Sequence, residues 1–265
     1  MTGQSRHDAW ASGESYDLYM GRWSRQIAPR FLGWLDPAAD LDWLDVGCGT
    51  GAFTELVLDR CAPASVLAVD PVSAQIGHAQ RLPVGRRADF QVADARALPF
   101  ADSTFDIVTA ALVLNFITDR PRALSEVRRA SRAGGVIAAY VWDFGAELSP
   151  SWPFRAGMRR FGCDVPDVPG TKESSIDALL SLFERAGLER IATKTIDVTL
   201  PFADFADFWE AQTPSYSPTT KMIAKMASSD RMRLIDTVRA GLPVNPDGSI
   251  EYSARANAIK ARVPD

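Results

Sequence analysis

The chain has 265 residues, enough for one well-buried α/β domain with sizeable insertions. Its composition, 46% hydrophobic and 23% charged, is that of a globular protein, and a net charge of −4 excludes a broad electrostatic footprint for nucleic acid. Residues 1–10 are polar and lack the apolar core of a signal peptide; the longest nearly apolar stretch, Phe105 to Ile117, is interrupted by Asp106, Thr109 and Asn115 and is too short to cross a bilayer.

Cys48, Cys61 and Cys163 are far apart and form no C-x-x-C pair, which points to reduced thiols in a cytoplasm rather than to a disulfide framework or a zinc site. Glu14 to Leu35 is helix-like and rich in aromatic residues, and Pro29 predicts two short helices there rather than one. From Leu41 to Tyr140 the chain alternates strands and helices, the pattern of a doubly wound parallel sheet. The expected strands are Leu41–Val46, Ser65–Val69, Asp89–Ala93, Asp106–Leu112 and Val136–Trp142. The expected helices are Ala52–Cys61, Ser73–Arg81 with a serine N-cap, and Asp119–Arg132 stopped by Gly134-Gly135. The basic cluster Arg128, Arg129 and Arg132 lies beside Glu126 and reads as a solvated helix face.

Regularity then breaks. Residues 143–171 hold four prolines and end in a loop or linker, Val165 to Gly170. Ser174 to Ala186 reads as a helix, Leu188 to Leu200 as a strand, Phe202 to Arg239 as helical, and Ser249 to Val263 as a last strand after the Asn245–Gly248 turn. The expected division is an N-terminal helical lid over 1–40 and a main domain over 41–265, with cap insertions at about 143–172 and 201–246.

The richest segment is Leu44-Asp45-Val46-Gly47-Cys48-Gly49-Thr50-Gly51. A buried strand turns through three glycines at alternate positions and enters a helix, which lets backbone approach a ligand closely. The spacing G-x-G-x-G is shorter than the dinucleotide fingerprint G-x-G-x-x-G. Asp45 before it would repel a diphosphate and suits a ligand carrying an ammonium group and a sulfonium. In an open parallel sheet, ligands sit beyond the carboxyl ends of strands. There the sequence supplies Asp70-Pro71 for ribose hydroxyls, Asp94-Ala95 for an adenine amine, and Ala111-Leu112 as an apolar wall.

Leu44–Thr54, Leu67–Ile76, Gln91–Phe100, Phe105–Asp119 and Ala133–Tyr140 together resemble the successive motifs of class I S-adenosylmethionine-dependent methyltransferases. The subgroup is the small-molecule one that includes quinone-biosynthesis enzymes. Tyr16–Ser24 and Gly248–Ala258 are similar to it as well. The resemblance implies a Rossmann-like seven-stranded sheet, six strands parallel and the last antiparallel, with helical cap insertions. It implies S-adenosylmethionine as cofactor and S-adenosylhomocysteine as product. Tyr19 and Arg22 would close over the cofactor, Arg22 pairing with its carboxylate, beside contacts from Asp45, Gly47, Cys48, Gly49, Gly51, Asp70, Pro71, Asp94, Ala95, Ala111 and Leu112. The chain departs from the pattern at Asn115, where many relatives carry histidine, and at Ala133, where proline is usual.

Such a transfer needs an acceptor atom held in line with the methyl carbon, and neither a metal nor a covalent nucleophile. His78 reads as a surface or packing residue and His7 lies in a tail, so Tyr19, Asn115 and Asp143 are the candidates to orient an acceptor. Trp142, Phe144, Trp152, Phe154, Trp209 and Tyr216 supply either an aromatic lid or the core of the cap itself. The expected partner is a small, aromatic or apolar acceptor, with no nucleic acid or membrane, the protein acting as a monomer or homodimer. Two other readings stand: a cofactor-binding protein without transfer, and a nicotinamide-dependent oxidoreductase. The glycine spacing and Asp45 weigh against the second of these.

Overall fold

The computed structural model describes residues 21–215 and 217–265, so Tyr16, Tyr19 and Tyr216 lie outside the described residues. Seven strands form one sheet: β1 (Asp42–Val46), β2 (Ser65–Asp70), β3 (Asp89–Val92), β4 (Phe105–Ala111), β5 (Ser131–Trp142), β6 (Glu189–Phe202) and β7 (Ile250–Arg262). Their order is β3-β2-β1-β4-β5-β7-β6. The first five pair in parallel, and β7 runs antiparallel to both β5 and β6. Six strands therefore share one direction and the last in sequence opposes them, as expected. The chain first winds outward from β1 to β3 and then returns to β4 on the other side of β1. That reversal opens a crevice beyond the carboxyl ends of β1 and β4.

Alternation along the buried strands sends side chains to two cores. Trp43, Ile107, Tyr140 and Trp142 face helices α1 (Arg22–Leu35) and α2 (Ala52–Arg60). Leu44, Val108, Ile137 and Val141 face α4 (Arg120–Ala130) and α6 (Ile176–Arg185). A short helix α3 (Ser73–Ala79) joins β2 to β3. The cap comprises α5 (Trp152–Phe161) and, after β6, α7 (Phe205–Gln212), α8 (Pro218–Ala224) and α9 (Ser228–Ala240). Among the described residues, no helix is long and apolar enough to cross a membrane.

Several local expectations are corrected. Helix α1 runs unbroken through Pro29. Interior proline costs a helix roughly 3 kcal/mol, but Trp23, Ile27, Phe31, Leu32 and Leu35 are all buried along one face, and that packing outweighs the lost bond. Ser73 does not cap α3; Val72 holds the N-cap position and gives its N–H to Asp70 at 2.9 Å. Gly134-Gly135 does not end α4, which stops at Ala130. The two glycines lie inside β5, where the pairing with β4 slips between Ser131 and Val136. A Cβ on Gly135 would come within 2.8 Å of the Arg132 carbonyl, so this bulge requires glycine. The predicted helical stretch from Phe202 is divided into three helices, and residues 152–161 of the proline-rich segment are helical.

Candidate active site at the glycine turn

The glycine turn occupies the crevice end of β1. Gly47, Gly49 and Gly51 have φ of 75°, 54° and 86°, the left-handed region that excludes most side chains. Gly47 and Cys48 donate to the Val69 carbonyl at 2.7 and 3.0 Å, which seats the turn on β2. The three glycines have different neighbours. A Cβ on Gly47 would lie 2.4 Å from Val113, and one on Gly51 would lie 2.9 Å from Phe90. Among the described residues, a Cβ on Gly49 would meet nothing within 4 Å. Gly49 thus bares its backbone to open space, while its neighbours lock the turn in place.

Two carboxylates flank the turn. Asp70 is 9% exposed and accepts the Gly49 N–H at 3.1 Å and the Val72 N–H at 2.9 Å. Asp45 is 1% exposed and accepts the Thr54 hydroxyl at 2.6 Å. Its second oxygen, Oδ1, is buried without a hydrogen-bond partner among the described residues. Burial pushes its carboxyl up to about 7, against the lowering effect of the Thr54 bond and with help from the negative charge of Asp70. Burial likewise pushes the Cys48 thiol up, so that side chain stays protonated and its place in the turn rests on backbone. Thr54 was not read from the sequence; it sits in the first turn of α2, where a side chain can reach back to the strand before it.

A buried Asp45 oxygen with no partner among the described residues, an open glycine backbone and the Asp70 carboxylate beside it fit a cationic ligand with vicinal hydroxyls. Residues 44–139 match the pattern of the methyltransferase domain family. The chain is 36% identical over 130 residues to a malonyl-[acyl-carrier protein] O-methyltransferase of Halorhodospira halophila, covering 48% of this chain and 44% of that protein. It is also 36% identical over 123 residues to the ubiquinone/menaquinone biosynthesis C-methyltransferase UbiE of Paracoccus denitrificans, covering 45% and 49%. Among solved structures, the YcgJ protein of Bacillus subtilis superposes with a TM-score of 0.57 at 18% identity, covering 90% of this chain and 98% of that one. Residues 44–139 are thus similar to methyltransferase domains, and the fold is that of the superposed structure. The match spans a little under half the length of these curated relatives.

Around the turn, Asp94, Ala95, Ala111 and Leu112 stand at the strand ends, as expected. Asp94 follows β3, and both its oxygens are forked by Arg96, with Nη2 at 2.6 Å and Nε at 3.0 Å. It keeps 40% exposure, so it retains room for a further donor. Ala95 beside it is buried against Val46, Val69 and Leu98 in the core of the α4 face, and Pro71 is exposed. Ala111 is half-buried at the end of β4, and Leu112 takes a left-handed φ of 59° while donating to the Tyr140 carbonyl at 2.8 Å. A leucine held there turns the chain at the crevice, one residue before Val113, which packs against Gly47.

Arg22 is engaged by Asp207 of α7 and by the end of β6. It forks the Asp207 carboxylate at 2.7 and 3.3 Å, donates to the Pro201 carbonyl at 3.0 Å, and lies 4.8 Å from the Phe202 ring centre. Nothing in the sequence joined positions 22 and 207, because only the fold brings α1 beside α7. Asn115 is 2% exposed and gives its amide N–H to the Pro169 carbonyl at 3.2 Å, while Arg120 donates to its backbone oxygen at 2.9 Å. Asp143 accepts the Ala146 N–H at 3.0 Å and so caps the turn after β5. These two of the three candidates for orienting an acceptor hold backbone in place, and the third, Tyr19, lies outside the described residues. Of the aromatic residues, Trp142 is buried beside Trp23 of α1 and Phe154 is buried beside Trp209 in the cap, whereas Phe144, Trp152 and Trp209 keep partial exposure.

Proposed function

We propose that this protein transfers a methyl group from S-adenosylmethionine to an oxygen, carbon or nitrogen of a small molecule. The observation that carries this reading is Gly49, open to ligand on one side and tied to Asp70 on the other. Gly47, Gly49 and Gly51 would admit the ligand's backbone-hugging portion, Asp70 would accept its ribose hydroxyls, and Asp45 would face its positive charge. Asp94, Ala95, Ala111 and Leu112 would border its base and apolar surface. When bound, S-adenosylmethionine supplies an electrophilic methyl group on a sulfonium with a good leaving group. The protein's own share is to fix the acceptor in line and keep water out.

A second reading is binding without transfer. It gains support from Asn115 and Asp143, whose polar atoms serve neighbouring backbone. The net charge of −4 and the pairing of Arg129 and Arg132 with acids support a small acceptor over nucleic acid. Three free thiols support a reducing, cytoplasmic setting. We take the protein to act there as a monomer or homodimer. Calorimetric titration with S-adenosylmethionine, S-adenosylhomocysteine and NAD tests the cofactor. Micromolar or tighter binding of both adenosyl ligands and none of NAD is expected; the reverse would defeat the proposal. A transfer screen over phenols, quinones and carboxylic acids then separates enzyme from binding protein.

A further inference from the structure

The crossover that returns from β3 to β4, residues 93–104, contains no helix. It leaves the crevice with Asp94 and ends at the start of β4. There the N–H groups of Ser103 and Thr104 donate to the Arg129 and Ala130 carbonyls of α4 at 2.9 and 2.8 Å. Between those ends the backbone has no ladder to join, so its polar groups need other partners. Three charged side chains of α4 supply them: Arg122, Glu126 and Arg129, which stand at i, i+4 and i+7 and so share one helix face. The sequence reads Glu126 and Arg129 as a solvated face; the fold turns them onto this crossover.

The contacts are aimed at backbone atoms. Arg122 donates to the Arg96 carbonyl at 2.8 Å. Glu126 accepts the Leu98 N–H at 3.0 Å. Arg129 donates to the Leu98 and Phe100 carbonyls at 3.0 and 2.7 Å and forks both oxygens of Glu126 at 3.1 and 3.0 Å. That fork holds the Glu126 carboxyl below the usual range, so it remains an ionised acceptor. From Leu98, buried in the core on the α4 face, the contacts continue to the crevice. The Arg96 N–H donates to Asp94 at 2.9 Å, and its guanidinium forks the same carboxylate and reaches the Thr118 hydroxyl at 3.2 Å. The β4 end of the crossover is already tied by two backbone bonds. Arg122 and Glu126 act instead on residues 96 and 98, the half beside Asp94.

We propose that Glu126, held by Arg129, is a positioning residue for base recognition: through Leu98 it fixes the loop that begins at Asp94, and so sets how sharply the protein tells adenine from a purine without the amine. The assignment rests on the cofactor reading above, in which Asp94 accepts from the adenine amine. A hydrogen bond to that amine depends on where the carboxylate stands, to within a fraction of an ångström. Glu126 touches no ligand in this arrangement. It acts on the base by way of Leu98, Arg96 and Asp94.

The test compares S-adenosylhomocysteine with S-inosylhomocysteine, which carries a carbonyl oxygen in place of the adenine amine, by calorimetric titration. The wild type should prefer the adenine ligand by about tenfold or more, and Asp94→Ala should lose that preference. Glu126→Ala should lose most of it as well, and Arg129→Lys should reduce it by about threefold. Glu126→Gln, which keeps an oxygen for the Leu98 N–H, should retain it. Arg132→Gln is the control for stability alone: it removes ion pairs with Asp42 and Asp106 and should lower the melting temperature with the preference intact. A full preference in folded Glu126→Ala, or in Arg129→Lys should the alanine variant not fold, would overturn the assignment. Equal weakening of both ligands in those variants would overturn it too. A wild type that binds S-adenosylhomocysteine not at all defeats the cofactor reading instead. One that binds the two ligands equally removes Asp94 from the base, and this inference with it.

Discussion

Gly49 gives its backbone N–H to the Asp70 carboxylate across 3.1 Å, so the middle glycine of the turn and the acid ending β2 act as one unit. The same carboxylate holds the Val72 N–H at 2.9 Å and thereby starts α3. Replacing Asp70 with alanine removes both acceptors at once. The expected result is a loss of S-adenosylhomocysteine affinity of about a hundredfold, with a stability cost of about 1–3 kcal/mol for the two orphaned donors. Calorimetry and thermal melts read the two effects separately. Unchanged affinity would remove Asp70 from the ligand.

Gly49 and Gly47 should respond differently to the same change. A Cβ at Gly49 meets no atom of the described residues within 4 Å, so the main folding cost of valine there is the left-handed backbone, about 1–2 kcal/mol. It fills the space reserved for ligand, and adenosyl binding should be lost. Valine at Gly47 would collide with Val113 at 2.4 Å and should destabilise the whole domain. A folded Gly49→Val protein that still binds the cofactor would exclude the turn from the site.

This contrast marks what could be read in the sequence. Periodicity and glycine spacing were enough to place β1 to β5 and the acids Asp45 and Asp70, because these rest on local pattern and on a rule about strand ends. Pairings between distant elements were not legible: Arg22 with Asp207, Asn115 with Pro169, and Val113 against Gly47. Each depends on which elements the fold brings together, and a single sequence carries no mark of it. Gly134-Gly135 misled for a related reason. A glycine pair after a helix reads as a stop signal, whereas here it answers to a strand bulge.

Asp45 makes both stability and binding depend on pH. An unfolded aspartate titrates near 4, whereas burial pushes Asp45 up to about 7. The folded protein therefore keeps a proton that the unfolded chain gives up. Stability from this group is full below about pH 4, falls as pH rises toward 7, and is then constant, a total loss of about 4 kcal/mol. Asp45→Asn should abolish that slope and melt higher than wild type above pH 7. Binding runs the other way, since the ionised carboxylate favours a cation. Affinity for S-adenosylmethionine should rise through neutral pH, with release of up to one proton. Calorimetry in two buffers of different ionisation enthalpy measures the release, and a flat profile would exclude Asp45 from contact with charge.

The Arg22–Asp207 pair ties α1 to the cap. Burial works against the Asp207 charge, but Arg22 and the Ala203 N–H hold its carboxyl below the usual range. Both side chains are about one-third exposed or less, at 29% and 33%, so each single substitution should cost about 1 kcal/mol. Arg22→Gln and Asp207→Asn should give equal losses that are not additive, and both should leave S-adenosylhomocysteine affinity alone. Weaker binding in Arg22→Gln but not in Asp207→Asn would return Arg22 to the role that the family resemblance implies.

Gly170 offers the sharpest check on the cap. Its φ is +76°, and a Cβ there would lie 2.0 Å from the Asn115 carbonyl oxygen and 2.9 Å from Arg120. The nearest atom is backbone in a turn packed under β4, so it cannot yield cheaply. Gly170→Ala should cost about 2 kcal/mol or more and should raise amide exchange across residues 166–171 ahead of the rest of the domain. Asn115→Ala removes only the bond to Pro169 and should cost about 1 kcal/mol. Because neither change touches the glycine turn, S-adenosylhomocysteine should bind both variants as it binds the wild type. Exchange that quickens throughout the domain, rather than first in the 166–171 loop, would mean that this contact supports the sheet and not the cap.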